Sequence, residues 1–401
     1  MASAQPLESG QEWPARDLTR PRRAGWPGDH PRPADARVRR VLRQGARPAG
    51  IFVASRVGVL VAFGAAIYGR RDSLASALSA WDAKWYLALA RSGYPHVLPT
   101  GFGNAAQSTL GFFPLLALLI RGAAAVTGLS YLASGLVVTT LAGLAAALTV
   151  RWLLADTEGR AGADRGSALV LLSPGAFVLS MVYSEGLLIA FVAGSLLSLR
   201  RRRWLAAGVL AALASATDPL GVAAFAPCAL ACYVAVRDRR EWRALLAPAV
   251  APLGLVAFFA FLWAWTGTPL AWFVAQRHGW EIGPLGTGIV SQLWFVAHHG
   301  FANVNANVKI ASALVLLALL VAFLRARPEP MLVAYVAAVL ALAVLAPTVG
   351  LSPRIALRAF PLLGIVGARL RRGWFEGVLG ASALTMAALA VLSIGTGAFT
   401  P

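Results

Sequence analysis

Apolar runs close to the ~20 residues that a helix needs to cross a bilayer recur from Ile51 onward, and short clusters of arginine separate them. That alternation leaves few folds open. With 58% hydrophobic residues, 13% charged residues and a mean hydropathy of +0.67, the polar side chains cannot cover the apolar surface in water. An all-α polytopic membrane protein is the fold class predicted.

The formal charge of +19 raises nucleic acid as a partner, but the arginines sit between apolar runs rather than along one amphipathic face. They read as topology signals. Spans are predicted at 51–68, 131–154, 167–182, 185–199, 204–217, 219–236, 244–266, 307–324, 331–347, 355–370 and 374–394, with the N-terminus in the cytoplasm. About eleven crossings then leave Arg160, Arg165, Arg200 to Arg203, Arg237 to Arg243, Arg325, Arg327 and Arg369 to Arg372 on the inside, as the positive-inside rule requires. Residues 1–48, rich in Arg and Pro without an apolar stretch, are expected to be a disordered cytoplasmic tail. Residues 49–395 form the membrane domain, with a first outer loop at 69–130. Leu110 to Thr127 is apolar but carries Phe112-Phe113-Pro114 and Arg121, and is placed as a helix within that loop; a crossing there is the alternative. Cys228 and Cys232, one helical turn apart, lack redox or zinc spacing and read as packing residues.

This topology turns only Asp72, Asp82, Glu185, Asp218 and Glu281 outward. Asp72 follows Arg70-Arg71 and reads as a solvated ion pair. Asp218 precedes Pro219 between two short helices, where Asp is a common turn residue. Glu281 lies in a long polar loop. Asp82 sits among Trp81, Trp85 and Leu89, which recur at helical spacing and hold it at the bilayer surface. Its two readings are a capping-box carboxylate three residues after Ser79 and a functional acid at the depth of a lipid-borne polar head. Glu185, at the outer junction of two helices, is either a helix-terminal carboxylate in water or a second functional acid.

Basic residues on the outer face break the charge rule. Ser352-Pro353-Arg354-Ile355-Ala356-Leu357-Arg358 opens an apolar helix with Pro at its first position and two arginines on one face, an anion site fit for a lipid phosphate. Snorkelling to lipid headgroups is the competing reading. The outer loop from Gly267 to Asn307 carries Gln276, Arg277, His278, Trp280, His298, His299 and several Asn, residue types that suit sugar recognition. His298-His299 lacks a third ligand at usable spacing, so no metal is expected. No phosphate-binding glycine loop, serine-hydrolase elbow or zinc-protease motif is present.

Trp81-Asp82-x-x-Trp85-Tyr86-x-x-Leu89-Ala90-x-x-Gly93-Tyr94, followed by Phe112-Phe113-Pro114-Leu115, resembles the PIG-V-like mannosyltransferases. Ser173-Pro174-x-Ala176-Phe177 with Tyr183-Ser184-Glu185, then Pro353-Arg354-Ile355 with Phe360-Pro361-Leu362, are similar to that family's later motifs in the same order. The family usually has Thr-Arg where this chain has Thr217-Asp218, and a second Pro where it has Ala117. These departures imply a different donor or acceptor preference.

The resemblance implies the GT-C architecture, a sugar donor on polyprenyl phosphate, a lipid or glycan acceptor and an extracytoplasmic site in the cell membrane, with no cofactor. Asp82 is then expected to act as general base on the acceptor hydroxyl, with inversion at the sugar. Arg354 and Arg358 stabilise the departing phosphate, and Trp81, Trp85, Tyr86, Tyr183, Glu185, Arg277, His298 and His299 are candidates for binding substrate. A lipid or solute transporter is the alternative. The shared site requires Asp82, Glu185 and Arg354 to approach one another; separations beyond ~15 Å would exclude it.

Overall fold

The computed structural model describes residues 33–280, 288–345 and 351–401, and all the regular structure there is helical. Two units divide the chain at residue 44. In Met1–Gln44 the described residues, 33–44, are helical, and the helix assigned over Pro33–Ile67 takes in residues 33–48, expected above to be disordered. Ala, Arg and Leu there favour helix, and Pro33 stands at the first position, where a missing N–H is harmless. Residues 1–32 lie outside the described residues.

Gly45–Pro401 begins with α1 (Gly45–Ile67), α2 (Leu74–Leu78), α3 (Asp82–Ser92), α4 (Pro114–Thr127) and α5 (Tyr131–Leu171). A 3₁₀ segment, Pro174–Ser180, leads to α6 (Glu185–Arg200) and α7 (Trp204–Thr217). Another, Pro219–Ala224, precedes α8 (Phe225–Arg239), α9 (Leu246–Val250), α10 (Leu253–Thr266), α11 (Ala271–Gly279) and α12 (Gly288–His299). The chain closes with α13 (Val304–Arg325), α14 (Pro330–Leu345), α15 (Pro353–Arg358), α16 (Phe360–Arg369) and α17 (Arg372–Val391).

Among the described residues, six helical stretches are long and apolar enough to cross a membrane: Gly45–Ile67, Tyr131–Leu171, Pro219–Arg239, Trp242–Thr266, Val304–Arg325 and Arg372–Thr396. A seventh results if Pro174–Ser180 and Glu185–Arg200, bent by 107°, count as one broken span. The stretch Tyr131–Leu171 holds two helices joined across a kink at Gly159 (φ 67°, ψ 176°), which falls between the segments predicted at 131–154 and 167–182. The remainder of 167–182 is not a span, because Pro174 ends helical continuation and the backbone turns. The segment predicted at 355–370 is split at Ala359 into α15 and α16. α4, α7, α14 and α16 are apolar but 10–17 residues long. Large apolar side chains such as Leu314, Val315, Leu317, Val256 and Trp263 face outward, where only lipid suits them.

Small residues bring the backbones together. A Cβ on Gly166 would press into the carbonyl of Gly364, so α5 and α16 meet at a glycine contact of the kind membrane helices favour. A Cβ on Gly175 would likewise enter the backbone of Pro353 and Arg354, which seats the 3₁₀ segment directly on α15.

Charges gather at the two ends of α6. Near Arg200 lie its own pair with Glu329 at 2.8 Å, Arg151 with Asp164 at 2.6 Å and Arg369 with Glu158 at 2.8 Å. Glu185 opens the other end, 15 residues or roughly 22 Å away.

Arg56 lies buried inside α1 and makes no ion pair among the described residues. It donates instead to the carbonyls of Ala176 (2.6 Å) and Leu171 (3.1 Å) and to Ser180 Oγ (3.2 Å), tying α1 to the break that precedes α6. Arg56→Met strands two carbonyl oxygens and a hydroxyl, and is expected to cost about 2–4 kcal/mol. Loss of helical signal on heating in detergent measures this, with Arg56→Lys retaining part of the stability.

Candidate active site

Five charged side chains from four distant segments form one alternating chain. Asp82 Oδ2 accepts from Arg354 Nη1 at 2.8 Å, and Arg354 Nε donates to Glu185 Oε1 at 2.6 Å. The same Glu185 oxygen accepts from Arg358 Nη2 at 2.9 Å, and that nitrogen also reaches Asp218 Oδ2 at 2.8 Å. Three carboxylates against two guanidiniums leave one negative charge in excess. The requirement that Asp82, Glu185 and Arg354 share a site is met at hydrogen-bonding distance.

Local sequence puts each group in place. Asp82 is the first residue of α3, and Trp81 before it stands at φ 56°, a strained conformation for a bulky residue. The Asp82 backbone N–H donates to Tyr183 Oη at 3.2 Å. Ser79 does not cap this helix, since its hydroxyl donates to the Ala75 carbonyl, and the capping-box reading falls. Glu185 opens α6 and is fully buried, so it is no carboxylate in water; its Oε2 has no partner among the described residues. Pro353 starts α15 one residue before Arg354, and Arg358 follows one turn later. Arg358 is 7% exposed and turned to acids rather than lipid, which excludes snorkelling. The Tyr183 ring lies 4.9 Å below the Arg354 guanidinium, and the Pro401 carbonyl accepts from Arg354 Nη1 at 3.1 Å.

Asp218 shows what the motif reading missed. Its Oδ1 does take the expected turn bond from Leu220 N–H, at 2.9 Å, but its Oδ2 belongs to the charged chain and accepts from Ser184 Oγ at 3.3 Å. An outward acid between two apolar helices was the available signal.

The chain borders a cavity of about 350 Å³, near the lower limit for small-ligand pockets. Asp82, Asp218, Arg354 and Arg358 line it together with Tyr86 and Phe112, and so do Gln276, Trp280, Asn305 and Lys309. Burial, reinforced by the Asp218 charge, pushes the Tyr86 phenol far above its ordinary pKa, so it faces the cavity protonated. Trp85 stands behind the lining, 6.1 Å from Phe112 and 5.8 Å from Trp280. Trp81 is half-buried and outside the lining.

Of the residues named in the loop expected to read sugar, Gln276, Trp280 and Asn305 line the cavity. Gln276 enters the cavity lining while Arg277 is exposed outside it. His298 is exposed, with Nδ1 2.8 Å from the Trp294 carbonyl and its ring stacked on Trp294. Helical spacing explains both outcomes, because neighbours in sequence point to different faces. The side chain of His299 and residue Glu281 lie outside the described residues. Asp72 pairs with Arg70 at 2.8 Å on the surface, as expected. Among the described residues no three His, Cys, Asp or Glu side chains group as metal ligands.

No protein-family model and no curated protein sequence matches the chain. Solved structures match by shape. ArnT from Cupriavidus metallidurans bound to undecaprenyl phosphate superposes with a TM-score of 0.51 at 18% identity, covering 86% of this chain and 65% of ArnT. The apo oligosaccharyltransferase of Archaeoglobus fulgidus gives a TM-score of 0.51 at 12% identity over 86% of this chain and 56% of its own. The chain thus spans less than two thirds of either protein's length. At such identities the likeness is one of fold: this chain is a multi-pass, all-α membrane protein with the GT-C fold.

Proposed function

We propose that the chain is a glycosyltransferase that moves a sugar from a polyprenyl-phosphate carrier to an acceptor hydroxyl at the membrane surface. One observation carries this reading: Asp82 is the partly exposed end of a charged chain whose remaining members are largely buried, and it opens onto the cavity. A general base needs access to its proton, and a rigid mount for its carboxylate.

Asp82 takes the proton of the acceptor hydroxyl as that oxygen forms its bond to the anomeric carbon. The bond from that carbon to the phosphate oxygen breaks, its electron pair leaves with the phosphate, and the configuration inverts. Arg354 aims Asp82, and Glu185 aims Arg354. The arginines, expected above to hold the phosphate, are already engaged by three carboxylates, so their first task is positioning. The bound undecaprenyl phosphate of ArnT supports the carrier class, and the ordered PIG-V-like motifs support mannose as the sugar. A transporter of inverted-repeat design needs a second broken helix related to the first; the described residues have one bent pair.

Membranes holding the chain, given radiolabelled polyprenyl-phosphate mannose, are expected to release free polyprenyl phosphate and a labelled acceptor. Absence of transfer from this and other polyprenyl-phosphate sugars would overturn the reading. The site is placed on the extracytoplasmic side. Lys84→Cys, at an exposed position two residues from Asp82, is therefore expected to react with an impermeant maleimide on intact cells, against a low background since Cys228 and Cys232 are buried.

A further inference from the structure

We infer that Gln276 and Trp280, both laid against the backbone of Gly111, form the subsite that reads the sugar of the lipid-borne donor: the indole carries a face of the pyranose ring, and Gln276 Oε1 accepts a hydrogen bond from one of its hydroxyls. This rests on the transferase reading above and assigns its sugar recognition to two residues.

The two residues stand four positions apart at the end of α11, so they share one face, and both line the cavity that Asp82 borders. Gly111 lets them lie there. It closes the 3₁₀ turn Thr109–Gly111, and a Cβ on it would stand 2.8 Å from Trp280 Cζ3 and 3.1 Å from Gln276 Nε2, too close for any other residue without displacing them. The Gly111 carbonyl also orients the amide. It accepts from Gln276 Nε2 at 2.9 Å, and because a carbonyl oxygen only accepts, the amide N–H groups must face it and Oε1 must turn away. Oε1 has no partner among the described residues, an open acceptor on a cavity-lining side chain. Trp280 is held edge-on by Phe112 at 5.6 Å and by Trp85 at 5.8 Å, and Trp85 sits three residues after Asp82, so one helix ties the indole to the base. An aromatic face beside one fixed acceptor suits a pyranose, which offers C–H groups on its face and hydroxyls at its edge. Phe273, three residues before Gln276 on the same stripe of α11, is 53% exposed like the other large apolar side chains that suit lipid. About 10 Å of helix separates it from Trp280, so a polyprenyl chain lying at Phe273 delivers its head to the cavity.

The purified full chain in nanodiscs is titrated with bare polyprenyl phosphate, with polyprenyl-phosphate mannose and with the four monodeoxy analogues of the latter. Gln276→Leu is expected to weaken the mannosyl lipid about five- to tenfold and to leave bare polyprenyl phosphate unchanged. The variant keeps its fold, since Trp272 Nε1 still donates to the Gly111 carbonyl at 3.1 Å. The wild-type chain is expected to bind one monodeoxy lipid about five- to tenfold less tightly than the parent, and Gln276→Leu to bind those two alike. A merely structural amide would not set that preference. Trp280→Leu is expected to weaken every sugar-bearing lipid about tenfold with bare polyprenyl phosphate unaffected, and Trp280→Phe to retain most of the affinity. A wild-type chain indifferent to all four monodeoxy changes, a Gln276→Leu chain that keeps the wild-type preference, or equal losses on bare and mannosyl lipid in either variant would overturn the subsite while the transferase reading stands. A wild-type chain that binds neither lipid overturns both.

Discussion

Asp82→Asn is expected to lower sugar transfer by about 10²- to 10⁴-fold while leaving the protein folded and inserted, because the amide cannot take a proton from the acceptor. The geometry predicts this separation. Arg354 Nη1 donates to Asp82 Oδ2, and an asparagine carbonyl oxygen in that place still accepts the bond. The substitution also removes one negative charge from a group carrying three acids and two guanidiniums, so no buried charge loses its only partner. Transfer from polyprenyl-phosphate mannose, compared at equal amounts of folded protein, measures the effect. An Asp82→Asn chain with wild-type turnover would remove Asp82 from the chemistry.

Arg358→Met should act in the opposite sense, on stability first. Arg358 is the cation between Glu185 and Asp218, which are 0% and 3% exposed, and its loss leaves Asp218 without an ionic partner and Glu185 with Arg354 alone among the described residues. Breaking a buried pair from one side costs about 3–5 kcal/mol, since the remaining charge stays desolvated. Thermal unfolding in detergent is expected to move down markedly. Adding Asp218→Asn to Arg358→Met should recover a large part of the loss, because the unpaired charge is then gone. If the double variant melts no higher than Arg358→Met alone, the stranded carboxylate is not the cause.

The chemistry-bearing positions were legible largely because the surroundings are so apolar. Asp82, Glu185, Arg354 and Arg358 stand out as charges next to spans, and all four belong to the same cluster. Their partnership was not legible, since Asp82 and Arg354 are 272 positions apart and no local pattern links them. Asp218 was hidden by its own turn, a sufficient local explanation for a residue that also serves the cluster. Which of Gln276, Arg277, His278 and the loop's Asn residues would line the cavity was not legible, because lining depends on helix rotation, which loop composition does not specify. Span lengths failed at Pro174 and Ala359, where hydropathy windows ignore backbone breaks, whereas the kink at Gly159 falls in the gap between two expected spans.

Composition and charge distribution by themselves determined that this chain is a helical membrane protein, because lipid is the only solvent for so much apolar surface. They also singled out Asp82 and the Pro353-Arg354 helix start, since a charge beside hydrocarbon persists only with a use or a partner. Tertiary structure alone decided that three acids and two arginines from separate segments pair in alternation around one cavity. The physical reason is range: apolar burial acts wherever a residue sits in the chain, whereas an ion pair needs contact within about 4 Å, which only the packed helices supply.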